Sequence, residues 1–179
     1  MAEFLWIFWS FSLLGWVLER LFAAVTRSPR QRRRCLLLLP LCPVYGLGMA
    51  AVLALPPSLR SGWPLYLWGG LTATSVEYIY HWWGETFLGV SFWDYTGVFG
   101  NFRGRVCLPF SLAWGLLLFP AVYLVTPPVV ALADRVPIGV TWWLLLAFTA
   151  DAVCSLRFLA VTHDLEALRA VIWPVSGDR

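Results

Sequence analysis

The sequence predicts an all-α protein, a polytopic membrane bundle of about five transmembrane helices with its N-terminus outside and its C-terminus cytoplasmic. Three observations carry this expectation. Of the 179 residues, 60% are hydrophobic and only 13% are charged, a balance too apolar for a soluble domain of this size. The apolar residues gather into five runs long enough to cross a bilayer. The arginines divide unequally between the ends of those runs, and the arginine-rich side of a membrane protein is the cytoplasmic one.

The first run spans 4–25. Glu3 precedes it where a cleavable leader would carry basic residues, and the run is too long for a leader core. It reads as a retained span. Glu19 and Arg20 lie near its end; Arg20 can snorkel to the interface, whereas the shorter Glu19 is expected to face inward. The loop that follows carries Arg27, Arg30, Arg32, Arg33 and Arg34 and is expected on the cytoplasmic side, where it could also meet anionic lipid headgroups.

The second run, 36–55, is interrupted by Pro40 and Pro43, with Gly46 and Gly48 after them. Proline removes a backbone donor and clashes with the preceding turn, so this span is kinked or opens with a non-helical lead-in. The third run, 63–88, carries Glu77, His81 and Glu85 at i, i+4 and i+8. On a helix they form one stripe about 12 Å long. Ionisable groups at the centre of a membrane helix cost about 2.5–3.5 kcal/mol each on insertion scales, so the stripe should face protein or a wet cavity. The fourth run, 106–125, contains Pro109 and Pro120, and a loop is expected at 126–137. The fifth, 138–161, holds Asp151 and Arg157; an interfacial amphipathic helix is expected over 162–173. The chain reads as a single integral membrane domain over 1–179.

With this topology the inner side receives Arg20, the five arginines of the first loop, Arg103, Arg105, Arg157, Arg169 and Arg179. The outer side receives Arg60 and Arg135. All 13 basic residues are arginine. Chemistry that needs a lysine, such as a Schiff base or a Walker A phosphate loop, is therefore excluded from this chain. The four cysteines, Cys35, Cys42, Cys107 and Cys154, all fall toward the cytoplasmic half, without C-x-x-C or Cys/His ligand spacing. No metal site or cofactor is expected, and nucleic acid is not an expected partner.

The segment between the third and fourth runs, FWDYTGVFGNFRGR, is the most specific feature. It combines Asp94, Asn101, Arg103 and Arg105 with glycines and aromatics and is tethered at both ends. Arg105 is placed to reach Asp94, Glu85 or an anionic substrate, because its planar fork suits carboxylate or phosphate. The segment can equally be an internal salt-bridge clasp. Glu77, His81 and Glu85 are ligand types a metal could use, but carboxylate-bridged metal bundles place Glu-x-x-His pairs on two helices. A proton relay or a polar packing network fits better. The expected site or polar network comprises Glu19, Tyr45, Glu77, His81, Glu85, Asp94, Tyr95, Asn101 and Arg105.

These residues support a family resemblance over roughly 15–115. Gly15-Trp16-Val17-Leu18-Glu19, Pro43-Val44-Tyr45-Gly46, Glu77 and Glu85, Trp93-Asp94-Tyr95, Asn101 and Gly104-Arg105-Val106-Cys107-Leu108 occur in order, followed by Ser111 and Trp114-Gly115. In these blocks the sequence resembles the bacterial family named putative ABC-transporter type IV permeases, the CmpB-like family. The resemblance implies a small multi-pass protein of the cell membrane, a permease-like transport component. Lipids would surround it, and it would work with a second copy or a partner ATPase subunit. His81 is not among the positions that carry the resemblance. Two other readings stay open from the residues alone: a membrane-embedded acid-base enzyme acting on a lipid or isoprenoid through Glu77, Glu85 and Asp94, and a structural or regulatory membrane partner without a ligand.

Overall fold

The computed structural model describes residues 1–26 and 35–170; the arginine-rich loop and the end of the tail lie outside them. Among the described residues there are six helices and no strand. Helix α1 is Ala2–Thr26 and α2 is Pro43–Leu53. Helix α3 covers 62–88 and α4 is Leu108–Arg135. Helix α5 is Ile138–Thr162, and the short α6 is Leu165–Ala170. Three of them, α1, α4 and α5, are long and apolar enough to cross a membrane. Helix α3 has the length but carries the ionisable stripe.

The second apolar run is helical only from Pro43 to Leu53. Residues 35–42 form an irregular strap instead. Its freed backbone donors find a partner that the sequence pattern does not display: Asp151 of α5 accepts the N–H of Leu38 at 3.1 Å and of Leu39 at 2.9 Å. Non-helical backbone at membrane depth is tolerated where it is buried in protein and paired in this way.

The loop expected over 126–137 is a correction. The chain there is helical to Arg135. A wide turn at Ala121–Val125 precedes Thr126, whose hydroxyl bonds the Ala121 carbonyl at 2.8 Å. Pro127 and Pro128 therefore sit where a helix restarts, the position at which missing backbone donors cost least. Helix α3 contains two such wide turns, Leu65–Gly69 and Gly84–Leu88.

Of the helix expected over 162–173, the described residues reach to 170. His163 takes a left-handed conformation (φ 52°) and ends α5. Asp164 then caps α6, accepting the N–H of Glu166 at 2.8 Å and of Ala167 at 3.1 Å. Leu165 and Leu168 are buried in the main apolar cluster with Leu88 and Leu159. This turn of helix packs against the end of the bundle.

Helices α3 and α4 cross closely. A Cβ on Gly70 would stand 3.2 Å from the Gly115 Cα, and one on Gly115 would stand 2.9 Å from the Tyr66 carbonyl. Only small residues allow backbones this near. The core lies in two clusters, one in each half of the bundle. Ile7, Phe11, Met49, Val52, Leu65 and Leu118 form the half holding the N-terminus. Cys42, Val44, Leu88, Phe92, Trp93, Tyr95, Cys107 and Leu159 are among those in the other half, together with the loop 89–107. Of the three long apolar helices α5 is the least buried, with 11% of its most apolar stretch covered.

Candidate functional site

The acidic stripe of α3 is present, and its members have different fates. Glu77 and His81 are buried, at 2% and 1% exposure, while the Glu85 side chain is 35% exposed. They belong to two adjoining polar clusters.

The first cluster joins four elements. Trp114 of α4 donates its indole N–H to Glu77 Oε2 at 2.8 Å, and the Tyr95 hydroxyl reaches Oε1 at 3.3 Å. Each carboxylate oxygen of Glu77 thus holds a donor. The Trp114 ring meets Tyr45 of α2 edge to face, with centroids 5.3 Å apart, and the Tyr45 hydroxyl donates to Glu19 of α1. Tyr95 stacks on Phe110 at 5.0 Å. Glu19, Tyr45, Glu77 and Tyr95 are therefore brought together, with Tyr45 and Trp114 bridging between the two carboxylates.

That bridge separates two cavities. One, of about 230 Å³, is lined by residues including Phe11, Leu14, Val44, Met49, Glu77 and Leu118. The other, of about 220 Å³, is lined by residues including Glu19, Phe22, Tyr95 and Phe110. Leu18, Tyr45, Trp114 and Leu117 form walls of both. The lining is apolar except at the carboxylates and their aromatic donors. Leu14, Leu18 and Leu117 are also exposed, so the cavities border the surface of the bundle.

The second cluster lies beneath the loop. Arg105 Nε donates to Glu85 Oε2 at 2.7 Å, and its terminal nitrogen donates to the Tyr78 hydroxyl at 2.9 Å. The guanidinium also sits over the Tyr78 ring, 5.1 Å from the centroid. Desolvation works against the arginine's proton, but Glu85 and Tyr78 outweigh it and raise its affinity above the ordinary value. The acid that meets Arg105 is thus Glu85. Asp94 lies at the surface and accepts the Thr96 N–H at 2.8 Å, a local turn bond. Asn101 likewise serves the loop, donating to the Val98 carbonyl at 3.0 Å. Gly104, at φ +69°, turns the chain within contact of Asp94 and Thr96, and its carbonyl accepts the Tyr95 N–H at 2.8 Å.

His81 hangs between the clusters. Its Nε2 lies 2.8 Å from the Trp93 carbonyl, and its Nδ1 lies 3.6 Å from Glu85 Oε1. Trp93 donates its indole N–H to the Arg105 carbonyl at 2.8 Å, tying the imidazole's partner to the arginine's own backbone.

Trp114, Tyr78 and Asp151 are the residues a reading of polar motifs overlooks. A Trp or Tyr in an apolar run signals nothing by itself, and only the fold shows which carboxylate it faces. Asp151 could have been found, since a lone carboxylate in one apolar run and a proline-broken lead-in in another are complementary needs.

Among the described residues no group of three or more His, Cys, Asp or Glu side chains is arranged to hold a metal. Cys35, Cys42 and Cys107 are buried thiols and Cys154 is an exposed one.

Comparison with curated proteins and with solved structures gives no match. Comparison with protein families gives one over residues 6–156, a stretch that contains most of α1, all of α2 to α4, both polar clusters, both cavities and most of α5. On that match the chain belongs to the family described as putative ABC-transporter type IV.

Proposed function

We infer that this chain is the membrane-embedded, permease-like component of an ABC-type transporter, and that the paired cavities on either side of Tyr45 and Trp114 hold its cargo. Family membership supports the transporter context. The observation that carries the site is the geometry around Trp114: two apolar cavities share one wall, and a carboxylate opens onto each. Apolar pockets with a few convergent polar groups are the usual form of a small-molecule site. Glu77 and Glu19 supply the polar contacts, Tyr45 and Trp114 position them, and Tyr95 connects them to the loop.

The chain has no Lys for a nucleotide-binding P-loop, so ATP hydrolysis belongs to a separate ATPase subunit. A bundle of this size is a small scaffold for a pathway, which favours assembly with that subunit or with a second copy in the cell membrane. The arginine distribution supports an N-terminus outside, with the polar half of the bundle toward the cytoplasm.

The test is Leu117→Trp, which fills both cavities from their shared wall. The full chain is purified from native membranes with its ATPase and reconstituted in vesicles of native lipid extract. ATPase subunits should accompany both forms, and lipid-stimulated ATP turnover should fall about tenfold or more in the variant. Unchanged turnover would remove the cavities from the pathway, and an absent ATPase would leave a scaffolding role. The reading as a structural membrane partner retains one observation in its favour: Arg105, Glu85 and Tyr78 bond one another, as a structural clasp would.

A further inference from the structure

We propose that His81 and Glu85 form a binding site for a single proton, and that its occupancy sets how firmly Arg105 holds the loop 89–107. The site does not depend on what occupies the cavities.

The starting point is the hydrogen-bond pattern of a buried ring. A carbonyl oxygen can only accept, so the 2.8 Å contact of Nε2 with the Trp93 carbonyl assigns the ring proton to Nε2. Ser91 Oγ lies 3.2 Å from Nε2 and donates its own proton to the same carbonyl at 2.9 Å, so toward Nε2 it is an acceptor and the assignment stands. Nδ1 is then a bare lone pair. It is buried and has no hydrogen-bond partner, and the nearest ionisable atom is Glu85 Oε1, 3.6 Å away. In this tautomer two acceptors face each other 3.6 Å apart, a geometry that one added proton would turn into an ion pair. An orphaned buried nitrogen in a ring this enclosed calls for an explanation, and a proton that comes and goes supplies one.

Nε2 faces the Trp93 carbonyl and the Ser91 hydroxyl, so the proton that comes and goes is the one at Nδ1. The route in is Glu85, whose side chain is 35% exposed while that of His81 is 2% exposed. The proton comes from water, passes along the carboxylate and forms one N–H bond at Nδ1.

The charged groups around the ring are Glu85 on its own helix and Arg105 from the loop, with the Tyr78 hydroxyl bonded to Arg105. With the site empty, Glu85 serves Arg105 alone. With it filled, Glu85 Oε1 accepts from Nδ1, and two cations share one carboxylate. Their mutual repulsion weakens the hold on Arg105, the last charged anchor before α4. Acidification should therefore loosen the loop.

The test uses the full chain in lipid nanodiscs with labelled histidine. The chain has two histidines; His163→Asn leaves one, since asparagine tolerates the left-handed backbone there and offers an N–H in place of Nδ1. Nitrogen NMR should show the Nε2–H tautomer at high pH and protonation of Nδ1 as pH falls. Glu85→Gln should weaken proton uptake at His81 about tenfold or more, because an opposite charge within 4–6 Å shifts such equilibria by one unit or more. Arg105→Gln should strengthen it. Hydrogen exchange at the Tyr95 amide, bonded to the Gly104 carbonyl, should quicken as His81 protonates. An Nδ1–H tautomer, no titration between about pH 4 and 9, an unchanged midpoint in Glu85→Gln, or loop exchange indifferent to His81 would each overturn the proposal. The tautomer and the titration are read with Glu85 and Arg105 in place, so a variant that fails to fold does not remove the test.

Discussion

Arg105 and Arg103 stand two residues apart and do different things. Arg105 is held by Glu85, by Tyr78 and through its carbonyl by Trp93. Arg103 is exposed, with its guanidinium 5.7 Å from the neighbouring Phe102 ring. Arg105→Ala should lower the unfolding temperature by several times as much as Arg103→Ala. The Arg105→Ala/Glu85→Ala double variant should lose less than the sum of the singles, because the pair acts as a unit. Trp114→Phe should cost about 1–3 kcal/mol, measured by unfolding in mixed micelles, since it withdraws a donor from a buried carboxylate while keeping an aromatic ring beside Tyr45. The reach of Arg105 was legible in the sequence, because tethering at both ends leaves few acids near it. The choice between Asp94 and Glu85 was not, because it depends on a turn that takes Asp94 Oδ1 for the Thr96 amide. The tautomer of His81 was equally hidden, for it is set by a loop carbonyl that no periodicity reveals.

At the scale of elements, the proline-broken start of the second run and Asp151 explain each other. The strap 35–42 reaches the polar half of the bundle without helical hydrogen bonds, and a carboxylate from α5 replaces two of them, with Ser155 donating to the same side chain at 2.9 Å. Asp151→Ala should destabilise the chain by about 1–3 kcal/mol, by leaving buried backbone donors unpaired. Asp151→Asn, which keeps one acceptor, should cost less; equal losses would show that charge rather than acceptance matters. The α3–α4 crossing yields a second expectation. Gly115→Leu should drive the helices apart and abolish folding yield, whereas Gly139→Ala, where an added Cβ meets nothing within 4 Å, should be silent in the same assay. Helix existence was readable from apolar runs. Helix ends were not where prolines fall at a restart, as at Thr126, since the same Pro-Pro pair that opens a helical stretch also reads as a loop.

At the scale of the molecule, the two halves of the bundle differ in kind. One is an apolar packing of α1, α2, α3 and α4; the other gathers Tyr45, Tyr80, Tyr95, the tethered loop and α6, with Glu19, Glu77 and Glu85 bonded to its members or to Arg105 of the loop. The stripe on α3 predicted a polar interior, and the fold adds that this interior borders two cavities. The sequence could not show the cavities, because they are defined by what α1, α2 and α4 leave between them. The most direct measurement of the central claim is the structure of the chain purified from native membranes in its own lipid. The account predicts elongated density in the cavities on either side of the Tyr45–Trp114 wall, with a polar end within hydrogen-bonding distance of Glu77 or Glu19. Collapsed cavities, with Leu117 packed across them and no density against either carboxylate, would contradict it.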